Sequence, residues 1–296
     1  MLQRIDTIES KDFLISYDVV YNCLSRNFYI PLGASSSLPK DSNNKVIAVE
    51  PSELVGIAKR WQDGEVVDVI VETPDTKTLR IKLPATEGFI PGQYYNVRIP
   101  VEGRPRPIQR AYSVGSSPHP EAGIIDIGIK EMEGGLVSPI LVRKISPGDH
   151  LQIRGPVGKF IWDETFGGPV VLVAAGSGVV PLMSMIRYAV SKNLQIPMRL
   201  LFSSTDASHV IYGSELDDLE QKNPWLKIIH TFTRDPFDSR AQFHRRIDLA
   251  MVREVTQGLE NPLAYICGPP EMVENVEQYL MEIGLEDSQI FSEKYD

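Results

Sequence analysis

The chain has 296 residues, a formal net charge of −9 and two cysteines, Cys23 and Cys267. That length suits about two domains, each with its own core, and the acidic balance argues against a protein that grips a nucleic-acid backbone, which needs a basic patch. Two thiols supply neither the four ligands of a two-iron cluster nor a disulfide framework; with no apolar run of membrane length and no signal-like start around Asp6, Glu9, Lys11 and Asp12, a reducing cytoplasm is expected.

Residues 1–58 read as an N-terminal extension. "FLISYDVVYNCLSRNFYIPLG" is apolar enough to pack on something, and "GASSSLPKDSNN" (Gly33 to Asn44) reads as a loop. A short helix would start at Ser52 and Glu53. The extension is expected to be a strap docked on the main body rather than a domain, and no chemistry is assigned to it. Residues 59–166 show short strands with frequent turns. "EVVDVIVETP" and "KTLRIKLP" look like a hairpin; "YYNVRIP", "IQRAYSVGS", "GIIDIGIKEM" and "HLQIRGP" follow at regular intervals. That spacing predicts a small antiparallel barrel, with "GGLVSPILVRKI" as its helix. Across 167–296 the pattern changes. "PVVLVAAGSG" is a continuous apolar run suited to a buried parallel strand, a helix follows, and "MRLLFSS", "LKIIHTFTR" and "LAYICG" alternate with further helices. The expectation is a doubly wound α/β domain with a parallel sheet.

Four segments carry chemistry. In "IQRAYSVGSS", Arg110-Ala111-Tyr112-Ser113 reads either as an amphipathic strand with a surface arginine or as a site for a planar, phosphate-bearing ligand. "AAGSGVVP" sets Gly176 and Gly178 between a strand and a helix, where a backbone approaches a pyrophosphate; an ordinary tight turn is the other reading, and Pro181 stands where a third glycine is usual. "YICGPPEMV" puts Cys267 and Gly268 at another strand end, although Cys267 also reads as a small buried hydrophobe. "GGLVS" offers Gly134, Gly135 and the Ser138 hydroxyl near a helix start, as a phosphate cradle or as a capped turn.

Taken in order, these residues resemble the ferredoxin–NADP reductase family over roughly Trp61 to Asp296. Arg110-x-Tyr112-Ser113 and Gly135 to Ser138 resemble its two flavin segments. Gly155-Pro156-x-Gly158 is similar to the bend closing its barrel, and Gly176-x-Gly178-x-x-Pro181 to its nucleotide loop. Cys267-Gly268-Pro269 is similar to its nicotinamide-side motif, and Glu293-x-Tyr295 to its acidic-aromatic ending. Plant-type members end at the aromatic residue, whereas Asp296 follows here. The cysteine count argues against a fused ferredoxin, so the resemblance is to a stand-alone member without an iron–sulfur domain.

The resemblance implies an FAD-binding β-barrel over 59–166 and an NAD(P)-binding α/β domain over 167–296. Arg110 would pair with the FAD pyrophosphate, Tyr112 would stack on the isoalloxazine or ribityl region, and Ser113 would hydrogen-bond flavin N5. Ala111, Ile127, Ile129, Gly134, Gly135, Leu136, Val137 and Ser138 complete the implied flavin set. Gly176, Ser177, Gly178, Val179, Pro181, Ser203, Ser204, Gly268 and Pro269 would hold NADP or NAD. Cys267 would lie beside the nicotinamide C4, Glu293 would join the polar network there, and Tyr295 would cover the flavin face. For a 2′-phosphate the candidate is Arg234, with Arg245 and Arg246 in reserve; Asp206 would favour a free ribose instead. NADPH is the reading adopted. The implied activity is reduction of FAD by a nicotinamide, with electrons passed to a redox partner protein or small acceptor. An electron-relay or regulatory subunit of a larger redox complex, and a free-flavin reductase, are the alternatives.

Overall fold

The structure, a computed structural model, describes residues 60–84, 88–118 and 123–295. The expected extension, including its short helix and loop, lies outside the described residues.

The first sheet is antiparallel and six-stranded. Its strands are β1 (Gln62–Thr73), β2 (Thr76–Lys82), β3 (Tyr94–Ile99), β4 (Ile108–Ser113), β5 (Ile124–Lys130) and β6 (His150–Val157). They lie in the order β4-β3-β6-β1-β2-β5. The predicted hairpin is the β1–β2 pair, which turns between Thr73 and Thr76. The edge strands β4 and β5 meet where Val114 bridges Ile127, so the sheet closes into a barrel. Closure removes the open edges an antiparallel sheet otherwise exposes. Alternation explains the filling: in β3, Tyr95, Val97 and Ile99 are buried between half-exposed neighbours. Helix α1 (Ser138–Arg143) covers the barrel with Leu141 and Val142, and proline at its first turn needs no hydrogen-bonded N–H.

The second sheet is parallel and five-stranded. It comprises β7 (Val170–Ala175), β8 (Met198–Ser204), β9 (Leu226–Phe232), β10 (Leu263–Gly268) and β11 (Ile290–Lys294), in the order β11-β10-β7-β8-β9. Helices α2 (Val179–Ser191), α3 (Gly213–Lys222), α4 (Leu249–Thr256) and α5 (Pro270–Glu282) connect them. Two apolar cores flank this sheet. Val170, Leu172 and Ala174 face the core shared with α2 and α3. Val171 and Val173 face the one shared with α4 and α5. Both faces of β7 are therefore covered, which is why its sequence is an unbroken apolar run. Burying each such side chain contributes about 1.5–3 kcal/mol. Helix α2 stops at Lys192, and Asn193 turns the chain at φ 51°, a left-handed conformation asparagine tolerates. Asp248 starts α4 by accepting the Met251 N–H at 3.0 Å.

The chain winds outward from β7 through β8 to β9, then returns to lay β10 on the other side of β7. The reversal lies between β7 and β10. Ligands of open α/β sheets bind at the carboxyl ends of the strands beside such a reversal.

Candidate active site

At the reversal, β7 ends in Ala175 and β10 in Cys267 and Gly268, with Cys267 opposite Ala174 in register. The glycine loop after β7 folds as one tight turn, Gly176–Gly178, that runs directly into α2. Its fit against β10 is close. A Cβ on Gly178 would stand 2.0 Å from the Cys267 carbonyl oxygen. Only a residue without a side chain lets the loop lie on β10 this way. Gly176 takes φ +53°, and a Cβ there would come 3.5 Å from the Tyr295 hydroxyl and 3.9 Å from Lys130 Nζ.

Strand β11 brings the chain end to the same place. Glu293 sits beside Cys267 in register. Burial pushes the Glu293 carboxyl up to about 7. Burial, and then the Glu293 charge, pushes the Cys267 thiol well up, so Cys267 is a neutral thiol at physiological pH. The Tyr295 hydroxyl accepts the Gly178 N–H at 3.1 Å and donates to the Ala175 carbonyl at 2.5 Å. Its backbone N–H donates to Gly268 at 3.2 Å. The tyrosine expected over a flavin is thus anchored by its hydroxyl in the nucleotide loop.

On the barrel, Arg110 and Tyr112 share one side of β4, opposite Val97 and Tyr95 of β3, while Ala111 and Ser113 lie on the other. Tyr112 packs on the barrel core, and burial pushes its hydroxyl up to about 12. Arg110 is exposed, and among the described residues its guanidinium donates only to the Gln109 carbonyl, at 2.8 Å. It forms no ion pair there. Ile127 and Ile129 are buried in the barrel core. The Gly134–Gly135 turn precedes α1, Leu136 is exposed and Val137 is buried. Ser138 is 7% exposed; its Oγ accepts the Met132 N–H at 3.0 Å, which leaves its own proton to donate.

The outer part of the nucleotide edge separates the arginine candidates. Arg245 is paired with Asp248 at 2.6 Å and Arg246 with Glu271 at 3.5 Å. Arg234 is exposed and makes no ion pair among the described residues; its N–H donates to Thr205 at 2.9 Å, which ties the ends of β8 and β9 together. Asp206 is committed locally. It caps the next turn by accepting from the Ser208 N–H, the Ser208 hydroxyl and His209, and these bonds hold its carboxyl at about 2. Ser203 and Ser204 end β8, and Ser204 Oγ is buried without a partner. A buried hydroxyl in that state is costly unless something else meets it.

Sequence reasoning passed over Lys130. It stands on the barrel at the end of β5, yet its ammonium reaches the nucleotide loop and pairs with Asp75 at 3.3 Å. A lone lysine after an apolar strand carries no signal of that reach. Among the described residues no group of metal-ligating side chains occurs, and no helix is long and apolar enough to cross a membrane.

A closed antiparallel barrel followed by a doubly wound domain, with a glycine loop at the strand reversal, defines a two-domain flavin and nicotinamide oxidoreductase. Family models agree on both halves: an oxidoreductase FAD-binding domain matches residues 63–162, and an oxidoreductase NAD-binding domain matches residues 172–278. The chain is 29% identical over 229 residues to an NADPH oxidoreductase of Mycobacterium tuberculosis (strain ATCC 25618 / H37Rv), covering 76% of this chain and 57% of that one. It is 27% identical over 246 residues to the ferredoxin–NAD(P)(+) reductase component of the naphthalene 1,2-dioxygenase/salicylate 5-hydroxylase systems of Ralstonia sp, covering 83% of this chain and 72% of that one. Its fold matches the crystal structure of a ferredoxin NADP+ reductase from Neisseria gonorrhoeae with bound FAD and NADP, at a TM-score of 0.68 and 22% identity over 79% of this chain and 98% of that one. The chain belongs to the ferredoxin–NADP reductase family, with an FAD-binding domain followed by an NAD-binding domain.

Proposed function

We propose that the chain carries electrons from NADPH through FAD to a separate redox partner, a ferredoxin or an oxygenase component. FAD, when bound, supplies the chemistry: it accepts a hydride from reduced nicotinamide and releases electrons singly. The protein's part is binding, orientation and control of charge. One observation carries the reading. The glycine loop, Cys267, Glu293 and Tyr295 converge at the strand reversal, and the barrel's Lys130 reaches the same loop.

The unspent polar groups suit the two ligands. Arg110, free of any described carboxylate, would hold the FAD pyrophosphate with Ser138 and the Gly135 turn. Tyr112 would stack on the ring system or ribityl chain, and Ser113 on the strand's other side would hydrogen-bond flavin N5. The loop N–H groups and Lys130 would take the nicotinamide cofactor's phosphates. Cys267 would stand at the nicotinamide as an uncharged thiol, which neither attacks the ring nor competes for its positive charge in the oxidised form. Glu293, buried and neutral up to about pH 7, would hold or release a proton beside it. Arg234, which makes no ion pair among the described residues, would read the 2′-phosphate, because Arg245 and Arg246 are engaged elsewhere. The Ralstonia relative serves oxygenase systems by its name, which favours a protein acceptor.

Purified protein should be yellow, release FAD rather than FMN on acid treatment, and bleach NADPH with an artificial acceptor. Arg234→Ala should raise KM for NADPH more than for NADH. Finding only FMN, or no turnover with an artificial acceptor, overturns the reading; equal effects on the two nicotinamides remove Arg234 from it.

A further inference from the structure

A cleft of about 720 Å³ runs along the seam between the domains, lined among others by Glu72, Thr78, Arg80, Asp126, Arg187 and Glu215. It resembles a ligand site until its charges are traced. Arg80 forks onto Asp126 with two bonds of 2.9 Å. Arg187 forks onto Glu215 at 2.8 and 2.6 Å. Glu72 accepts the Thr78 hydroxyl at 2.8 Å. These groups are spent on each other, so the cleft offers little to a ligand.

Each of these pairs stays within one domain; other contacts of the same seam fasten α2 to the barrel. Val180, Ser184 and Arg187 are spaced i, i+4, i+7 and share one face of that helix. All three meet the barrel. Val180 packs where a Cβ on Gly128 of β5 would stand 2.4 Å from it. Ser184 Oγ donates to the Ser116 carbonyl at 2.7 Å. Arg187 donates to the Gly115 carbonyl at 2.7 Å. Tyr212, just before α3, lies under the Arg187 guanidinium at 4.7 Å and reaches Thr78 of β2 at 3.4 Å. It is 3% exposed and takes φ 59°, left-handed backbone that a bulky residue keeps only when its surroundings hold it there. A Cβ on Gly115 would stand 2.7 Å from the Tyr212 hydroxyl, so the barrel is shaped to receive it.

The two ends of this contact matter. Helix α2 begins at the Gly176–Gly178 loop, and Gly115 and Ser116 follow Tyr112 and Ser113 with only Val114 between them. We propose that Arg187, held by Glu215 and Tyr212, is a positioning residue that locks α2 to the barrel and so fixes the nucleotide loop relative to the flavin strand. The lock is a property of the protein alone; its effect on hydride transfer rests on the function proposed above.

Nitroxide labels at Lys82→Cys on β2 and Met281→Cys on α5, in a chain with Cys23→Ser, report the distance between the domains. Cys267, 2% exposed, stays unlabelled. The parent chain should give one narrow distance distribution. Arg187→Met should at least double its width. With FAD bound at unchanged stoichiometry, the same variant should slow flavin reduction at saturating NADPH at least tenfold. Glu215→Gln, at a more exposed position, serves if Arg187→Met does not fold, and should widen the distribution at least 1.5-fold, on the order of the loss of one charged partner. An unchanged width in these variants overturns the lock. A widened distribution with unchanged flavin reduction overturns its positioning role. A parent chain that does not oxidise NADPH counts against the proposed function only, since the distance measurement decides the lock without it.

Discussion

Along the domain seam, Arg80, Arg187 and Arg240 spend their charge on Asp126, Glu215 and Asp217. At the flavin strand and the nucleotide edge, Arg110 and Arg234 spend none on any described carboxylate, and Ser204 Oγ is buried without a partner. The arginines are the same residue type in both regions. The difference is where the hydrogen bonds go. The seam's charges are complete in the free protein, each pair within its own domain, and Arg187 then donates across to the Gly115 carbonyl. A binding edge keeps donors that only a ligand completes, at a cost in the free protein. Satisfaction, rather than charge or concavity, therefore separates the two regions, and each variant below asks whether a group belongs where that criterion puts it.

The largest effect is expected where the edge has least room. Gly178→Ala drives a Cβ into the Cys267 carbonyl, and neither backbone gives way cheaply. The upper end of over-packing costs is about 3 kcal/mol, equivalent to more than a hundredfold in binding if it falls on the loop. NADPH titration and thermal melting measure it. FAD content should hold, since the clash lies in the other domain. A variant that loses FAD but binds NADPH normally would reverse the assignment of the two edges.

Arg110→Ala follows. A charge-assisted hydrogen bond is worth about 1.5–3 kcal/mol, so FAD affinity should drop roughly tenfold to a hundredfold or more, as flavin release on dilution would report. Melting of the FAD-free protein should barely change, because the exposed arginine supports no described ion pair. The same truncation at the seam, where an arginine is paired, should instead lower the melting temperature of the FAD-free chain.

The fold was legible because its signals are local. The apolar run of β7 and the alternation in β3 state their burial residue by residue, and the turn residues separate the strands. The position of the glycine loop and of Cys267 at strand ends was legible too, because the switch from an apolar run to a helical pattern marks each strand's end. What stayed hidden depends on distant pairing. Resemblance alone ranks Arg234 ahead of Arg245 and Arg246; only the fold shows that Asp248 and Glu271 engage the other two. Asp206 reads as a ribose acceptor, and only the fold shows Ser208 and His209 converging on its Oδ1. Lys130 and Arg187 belong to one domain by sequence and act on the other, and no spacing along the chain records that.

Glu293→Gln tests the edge by its protons. Burial holds the Glu293 pKa at about 7, above its ordinary 4.5. The folded chain therefore keeps a proton that the unfolded chain releases. The associated stabilisation is present below pH 4.5 and is lost as pH rises through about 7. Melting temperatures of the parent should fall over that window relative to Glu293→Gln, which cannot titrate. The pH profile of flavin reduction should inflect near 7 in the parent and lose that inflection in the variant. Profiles that coincide would take the carboxyl out of the reacting centre.

The smallest effect concerns Tyr295, a group beside the glycine loop whose hydroxyl is already satisfied in the free protein. Its hydroxyl takes the Gly178 N–H and gives its proton to Ala175. A cofactor phosphate that uses the same N–H has to displace it. Tyr295→Phe keeps the ring and removes only the hydroxyl, so the N–H is released without exposing anything the ring covers. One neutral hydrogen bond is worth about 0.5–1.5 kcal/mol net, and oxidised cofactor should bind roughly twofold to tenfold more tightly. Tyr295→Ser removes the ring as well. If the ring also covers the flavin, flavin fluorescence should change in the serine variant and not in the phenylalanine one, and the serine variant should bind oxidised cofactor more tightly still. Equal affinities in all three proteins, with the same flavin spectrum, would mean that the hydroxyl merely pins the chain end and that Tyr295 belongs with the seam residues.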